Sequence, residues 1–292
     1  MEYCSIEKKL DEKTQVAYKT DLLQCMGIIG DRQLIKITKD DIRCYIKSIS
    51  GFKYNTIKRK LASLNAMLNY FEMENEWYVN PLRKMNIHMR QPIRYPIVMT
   101  IDEVRVFIEL TNQNVQHFPV GSFSYIMAKR NIAIIELLFA TGMRVSELCN
   151  LQYKDVDVWG GRVRIIGKGN KERIVDICQE KTIQVLKDWL VYRDNNQEDA
   201  PFFYSRLRTK LSPQSVRLLI ARLASICGIK KHVTPHTFRH TFATLLLEED
   251  VDLIYIQQLL GHSSILTTQI YTHVNHHKQR EILQTKHPRR KI

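Results

Sequence analysis

The chain has 292 residues, with 44 Lys+Arg against 30 Asp+Glu and a formal net charge of +14. Hydrophobic residues at 44% and charged residues at 25% are globular proportions, which excludes a disordered, collagen-like or coiled-coil chain. No apolar run approaches the ~20 residues a membrane span needs. At about 150 residues per domain the length predicts two domains, and the positive excess points to a polyanionic partner, nucleic acid first. Six scattered cysteines, Cys4, Cys25, Cys44, Cys149, Cys178 and Cys227, form no CxxC pair, so reduced, mostly buried thiols are expected rather than a zinc site or a disulfide framework. The start MEYCSIEKKL lacks the basic-then-apolar secretory pattern, so a cytoplasmic protein is expected.

The first ninety residues predict helices. Ser5 to Met26 carries Ile6, Leu10, Val16, Leu22 and Leu23 among charges. Thr38 before Asp40 and Asp41 predicts a capped helix start, with Ile42, Tyr45, Ile46 and Ile49 at helical spacing and Gly51 as its stop. A third helix is predicted from Asn55 to Glu74, with Ile57, Leu61, Leu64, Met67, Leu68 and Phe71 on one face and Lys58, Arg59 and Lys60 in its opening turns. Met89 to Thr100, with Pro92 and Pro96 and little periodicity, predicts an extended linker. The expected division is a helical domain over 1–90, a linker over 91–99 and a second domain over 100–292. Residues 1–90 hold 16 Lys+Arg and 11 Asp+Glu, and the remainder 28 and 19, so both halves are basic, as a shared polyanion requires.

Beyond the linker, Thr100 with Asp102 and Glu103 predicts a helix to Leu110. Residues 111–124 predict a polar loop, and 125–140 a strongly apolar helix stopped by Gly142. Residues 162–166 and 172–177 have strand patterning and flank Gly167-Lys168-Gly169-Asn170-Lys171, a hairpin signature. Helices are then predicted over 180–191, 212–224, 235–248, 254–260 and 266–272, followed by a basic tail. There is no internal repeat.

One cluster resists a structural explanation. Thr234-Pro235 is a good helix start, which puts His236 and Arg239 three apart on the first turns of one helix, where exposed donors suit a phosphate. Leu260-Gly261-His262 and Gln269-Ile270-Tyr271 follow in order. His232, His236 and His240 stand four apart, but no carboxylate or thiol has metal-ligand spacing with them and His232 precedes the helix start, so no metal site is predicted.

The stretches ATGMRVSELCNL (140–151), IIGKGNKERIV (165–175), TPHTFRHTFATLLL (234–247) and LLGHSSILTTQIYTHV (259–274) resemble, in order and spacing, the tyrosine recombinase (phage integrase) family, its Xer-like branch most closely. The resemblance is strong over residues 96–287; residues 1–88 resemble only a helical N-terminal arm of suitable length. It implies a mainly α fold: a helical, SAM-like core-binding domain, then a mixed α/β catalytic domain, mostly helical with a small antiparallel sheet. It also implies the catalytic set Arg144, Lys168, His236, Arg239, His262 and the nucleophile Tyr271, with Glu147 orienting an arginine or a neighbouring histidine and His240 in support. Every position has the residue type an active enzyme needs. The polar segment 111–124 is longer than in a minimal Xer protein and is available to DNA or a partner.

Physical chemistry fits these roles. A phosphodiester gains charge on its non-bridging oxygens in its pentacoordinate transition state, and guanidinium groups bind such oxygens bidentately, so Arg144 and Arg239 can favour that state over the ground state. Tyr271 attacks phosphorus, Lys168 protonates the leaving sugar oxygen, His236 accepts the tyrosine proton or holds a phosphate oxygen, and His262 donates a hydrogen bond to the phosphate. The covalent bond preserves the energy of the broken linkage, so no cofactor, metal or ATP is expected. The resemblance implies double-stranded DNA at a specific core site as partner, four protomers on two sites with a dimer on each, exchange through a Holliday junction and a C-terminal tail exchanged between protomers. Glu281, Ile282 and Leu283 would supply the tail's partly apolar face. Lys58, Arg59 and Lys60 are candidate phosphate contacts, and Asn55 and Thr56 could reach base edges. The rival readings are a type IB-like topoisomerase and a DNA-binding regulator without catalysis.

Overall fold

The computed structural model describes residues 2–30, 33–89, 95–167, 169–193 and 196–261. The chain divides into two compact units, residues 1–94 and 95–292. Among the described residues no helix is long and apolar enough to cross a membrane.

The first unit is helical: α1 (Glu2–Ile6), α2 (Glu12–Ile29), α3 (Lys39–Ser48) and α4 (Tyr54–Glu74), then a 3-10 turn at Pro81–Lys84. The single helix expected over 5–26 is two. Lys9 takes a left-handed φ of 45°, and the Asp11 carboxylate accepts the Thr14 N–H at 2.9 Å, so a new helix starts where the old one would have continued. Thr38 caps α3 as expected, and the Asp41 carboxylate returns a bond to the Thr38 N–H at 2.9 Å. Cys25, Ile42, Tyr45, Ile49, Leu61, Leu64 and Leu68 form the core. Each large apolar side chain buried there contributes about 1.5–3 kcal/mol.

The expected basic run at the start of α4 is divided. Lys58 is exposed, but Lys60 is buried with 3% of its surface accessible. Its ammonium donates to Asp21 at 3.1 Å and to Gln24. Arg59 also pairs with Asp21 and donates to the Ala17 carbonyl at 3.2 Å. Lys60 is therefore the counter-ion of a buried carboxylate on α2 and not an outward contact; four residues before Leu64 and seven before Met67, it lies on the apolar face of α4, which Lys58 does not share.

The second unit contains α5 (Ile101–Gln113), α6 (Phe123–Thr141), α7 (Val145–Asn150), β1 (Val156–Asp157), β2 (Arg162–Ile166), β3 (Glu172–Asp176), α8 (Glu180–Val191), α9 (Pro213–Ile226), α10 (Pro235–Glu248) and α11 (Leu253–Leu260). The sheet is antiparallel in the order β1-β2-β3, with Val163 opposite Val175 and Ile165 opposite Arg173. The polar loop expected over 111–124 is mostly ordered structure: α5 runs on to Gln113, a 3-10 turn spans Asn114–His117, and Ser122 caps α6. The helix expected over 266–272 lies outside the described residues. Three of the six thiols, Cys4, Cys25 and Cys149, are buried, whereas Cys44 and Cys178 are exposed.

The core of this unit wraps α6, whose Ile134, Leu137 and Leu138 are buried, and includes Trp189, Phe202, Phe203 and Phe238. Phe238 meets Phe107 edge-on at 5.3 Å, and Thr241, one turn on, accepts the Met99 N–H at 2.9 Å. These two contacts set the rotation of α10 about its axis, and so the direction in which Arg239 leaves it.

Candidate active site

Three arginines converge on the last turn of α11. Arg173 Nε donates to the Leu259 carbonyl at 2.9 Å, Arg239 Nη2 to Leu260 at 2.7 Å and Arg144 Nη2 to Gly261 at 3.4 Å. The final carbonyls of a helix lack intrahelical donors and carry the negative end of its dipole, so consecutive carbonyls here suit cations. Arg239, 3% exposed, also donates through Nη1 to Gly142, the C-cap of α6, at 2.8 Å. Its burial is therefore matched by carbonyls from two helix ends.

Arg144 is the N-cap of α7, reached by a sharp turn after Gly142. Gly142 has φ +58°, and a Cβ on it would lie 2.6 Å from Phe242 Cδ1 and 2.8 Å from Leu260 Cδ2. Glycine is required there by conformation and by the approach of α10 and α11. Glu147, one turn into α7, accepts the Arg144 backbone N–H at 2.8 Å and Arg144 Nη1 at 2.8 Å. The same carboxylate takes two bonds from Arg173, 2.7 and 3.2 Å long. Burial alone would raise its pKa, but the bonds from Arg173 and the Arg144 backbone outweigh that and hold it below the usual carboxylate range. It is thus an anion between two guanidinium groups.

His236 is exposed at the start of α10. Its pKa is lowered, first by partial loss of water around the ring and then by the charges of Arg239, Arg217 and Arg144, so it is neutral and able to accept a proton near pH 7. His240 lies one turn on, ring centroid to ring centroid 6.5 Å. Burial, His236 and Arg239 push its pKa down to about 4.

Of the six expected catalytic residues, Arg144, His236 and Arg239 are brought to one locality of positive charge. Lys168, His262 and Tyr271 lie outside the described residues. The β2–β3 hairpin that carries position 168 closes through a Gly167 N–H to Lys171 carbonyl bond at 2.8 Å. Of the candidate DNA contacts, Asn55 and Lys58 are exposed and Thr56 half-buried.

Sequence reasoning missed Arg173. It shares a strand face with buried Val175, and a charge at a core-facing position demands a buried carboxylate partner, which is the signal that could have found it. A second signal was also passed over. From Ala200 to Leu247 there is no Asp or Glu, while Arg206, Arg208, Lys210, Arg217, Arg222, Lys230, Lys231 and Arg239 all fall within that stretch.

Residues 98–278 match the model of the phage integrase family, and residues 1–75 that of the phage integrase N-terminal SAM-like domain. A tyrosine recombinase of Agathobacter rectalis is 43% identical over 99% of this chain and 95% of its own. The tyrosine recombinase XerD of Oceanobacillus iheyensis is 34% identical over 98% and 96%. Among solved structures, XerA recombinase superposes with a TM-score of 0.55 at 27% identity, over 97% of this chain and 94% of that one. The XerH site-specific recombinase bound to palindromic difH substrate gives 0.75 at 24% identity over 92% and 79%, a likeness of fold.

Proposed function

The chain belongs to the phage integrase family, and from that membership we propose that it is a cytoplasmic, site-specific DNA recombinase that cuts and rejoins strands through a covalent 3'-phosphotyrosine on Tyr271. The observation that carries this reading is the clasp of Arg144 and Arg239 on consecutive carbonyls at the end of α11, ten residues before that tyrosine. A tight cationic cluster of fixed geometry stabilises charge that appears on phosphate oxygens only in the transition state. Neutral His236 takes the Tyr271 proton or bonds a phosphate oxygen, Lys168 protonates the departing 5' oxygen, and His262 donates to the phosphate. The phosphotyrosine retains the bond energy, so the reverse attack by a 5' hydroxyl of the partner strand needs no ATP and no metal. Exchange passes through a Holliday junction.

DNA is held by both units, with Asn55, Thr56 and Lys58 as contacts from the first. Arg59 shares its charge with Asp21, and Lys60 takes no part. The assembly is four protomers on two sites, with C-terminal tails exchanged. A groove of about 1080 Å³ in the second unit, lined by Met99, Phe139, Phe242 and Leu245 and edged by Glu180, Glu248 and Glu249, supports the exchange: it matches Ile282 and Leu283 in a segment that also carries Lys278, Arg280 and Lys286.

A suicide substrate resolved on a denaturing gel tests the reading. The wild type traps a covalent adduct, EDTA leaves it unchanged, and Tyr271→Phe binds DNA without forming it. An adduct retained by the phenylalanine variant, or lost on chelation, overturns the assignment. Relaxation of a plasmid lacking any recombination site would favour a topoisomerase instead.

A further inference from the structure

Between α8 and α9 the chain makes a small hairpin whose base is rigid and whose tip is not covered. Phe202 and Phe203 are 0% and 1% exposed. The Phe202 carbonyl accepts from Trp189 Nε1 at 3.1 Å, and the Tyr204 carbonyl from Arg130 Nη1 at 2.7 Å. Tyr204 pairs with Lys210 across the hairpin, and the Ser205 N–H donates to the Thr209 carbonyl at 2.7 Å. This leaves a three-residue loop, Arg206-Leu207-Arg208. Leu207 is 84% exposed, the most exposed large apolar side chain among the described residues.

The loop is not built for stability. Arg208 takes φ +56°, the left-handed position that three-residue hairpin loops usually give to glycine. A non-glycine residue there, beside an exposed leucine, is a strained choice on an otherwise well-anchored hairpin, and strain of this kind gathers where a backbone serves a ligand. The Arg206 guanidinium lies 5.9 Å from the ring centroid of Phe123, the first residue of α6.

The charge around the loop identifies the ligand. It lies in the 48-residue stretch from Ala200 to Leu247 that has no carboxylate and eight Lys and Arg. The same stretch carries His236 and Arg239. Arg217, ten residues past the tip, acts on His236, and with Lys210 on the Cys149 thiol of α7. Arg217 is thus near His236 at one end, and with Lys210 near Cys149 at the other, so cations lie between the arginine cluster and the segment that carries the hairpin.

Resting on the recombinase reading, we infer that the Arg206-Leu207-Arg208 tip enters the minor groove of the DNA beside the cut, with Leu207 as a wedge against a base step and the two guanidinium groups along the groove. The minor groove is about 6 Å wide and excludes a helix, but it admits a three-residue tip. Its potential draws arginine, and proteins that bend DNA from this side insert single apolar side chains between base steps. The wedge would favour flexible pyrimidine–purine steps and so add sequence preference at base pairs outside the cut.

The test uses the full chain and a duplex it has itself selected from a random pool, with 2-aminopurine placed at successive positions. Wild type raises the fluorescence several-fold at a step outside the cut, because the base is unstacked. Leu207→Ala abolishes the rise and still traps covalent DNA. Arg208→Gly, which suits the left-handed φ of that position, keeps the rise but binds about tenfold more weakly, and a melting curve unchanged from wild type assigns that loss to the missing guanidinium. No rise at any position, or an equal rise with Leu207→Ala, overturns the inference while covalent trapping leaves the recombinase reading standing. Loss of self-association rather than of DNA contact in Leu207→Ala also overturns it, in favour of a protein-binding tip. Absence of covalent trapping in the wild type removes both.

Discussion

Arg173 and Glu147, 26 residues apart in the chain, are joined by two hydrogen bonds of 2.7 and 3.2 Å between side chains that are 12% and 4% exposed. The pair links β3 to α7, and because Arg173 also holds Leu259 and Glu147 also holds Arg144, it ties the hairpin, Arg144 and the end of α11 into one unit. Removing one member strands the other's charge, which is costlier than removing both. Glu147→Gln is therefore expected to destabilise the protein by about 3 kcal/mol, and Glu147→Gln with Arg173→Met to recover part of that loss. Urea melts of these two variants and of Arg173→Met alone measure the coupling; additive effects would show that the pair acts as two separate residues.

At Gly142 the expected effect is steric as well as conformational. A left-handed φ costs a residue with a Cβ about 1–2 kcal/mol, and contacts of 2.6 and 2.8 Å add an overpacking term of about 1–3 kcal/mol. Gly142→Ala should lower the melting temperature by several degrees. Since the Gly142 carbonyl also holds Arg239, strand cleavage should fall further than DNA binding. An alanine variant that cleaves normally would show that Arg239 is positioned by Leu260 alone.

Lys58 and Lys60 separate binding from stability within one turn. Lys58→Ala should weaken DNA binding and reduce the slope of log affinity against log salt by about 1, with no change in melting. Lys60→Ala should leave the salt slope unchanged and destabilise the first unit by roughly 2–4 kcal/mol, since Asp21 loses a buried counter-ion. The reverse assignment of effects would mean that the α2–α4 pair opens on DNA.

Much of this protein is legible from spacing alone. Caps at Thr38, Thr100 and Thr234, the stop at Gly142 and the β2–β3 hairpin all follow from local chemistry, which one sequence displays fully. The H-x-x-R pair is readable for the same reason: both residues sit on one helix. What escapes is tertiary. Lys60 falls on the apolar face of α4 by its spacing from Leu64, but nothing local names Asp21 of α2 as the carboxylate it meets. The short α7 has too few residues for a period, and it exists because Glu147 closes its first turn onto Arg144. Arg173 betrays itself locally by its strand face, but its partners Glu147 and Leu259, 26 residues before and 86 after, are set only by the fold.

The two histidines of α10 give the last expectation. The folded-state pKa of His240 is down at about 4, below the ~6.5 of an unfolded histidine, and that of His236 is lowered too. Between these limits the unfolded chain binds a proton that the folded chain refuses. Stability is then complete above about pH 6.5 and declines as the pH falls toward 4, by up to ~3 kcal/mol from His240. Most of this window lies above the range in which carboxylates titrate, so the two contributions separate. Urea midpoints measured from pH 7.5 to 5 should fall for the wild type and change less for His240→Gln, whatever the variant's absolute stability. On the proposal that His236 takes the Tyr271 proton, cleavage should decline over the acid end of the same window, because the protonated ring cannot accept it; on the alternative that it bonds a phosphate oxygen, cleavage should hold. Equal pH slopes for wild type and His240→Gln would place the titrating group elsewhere than on α10.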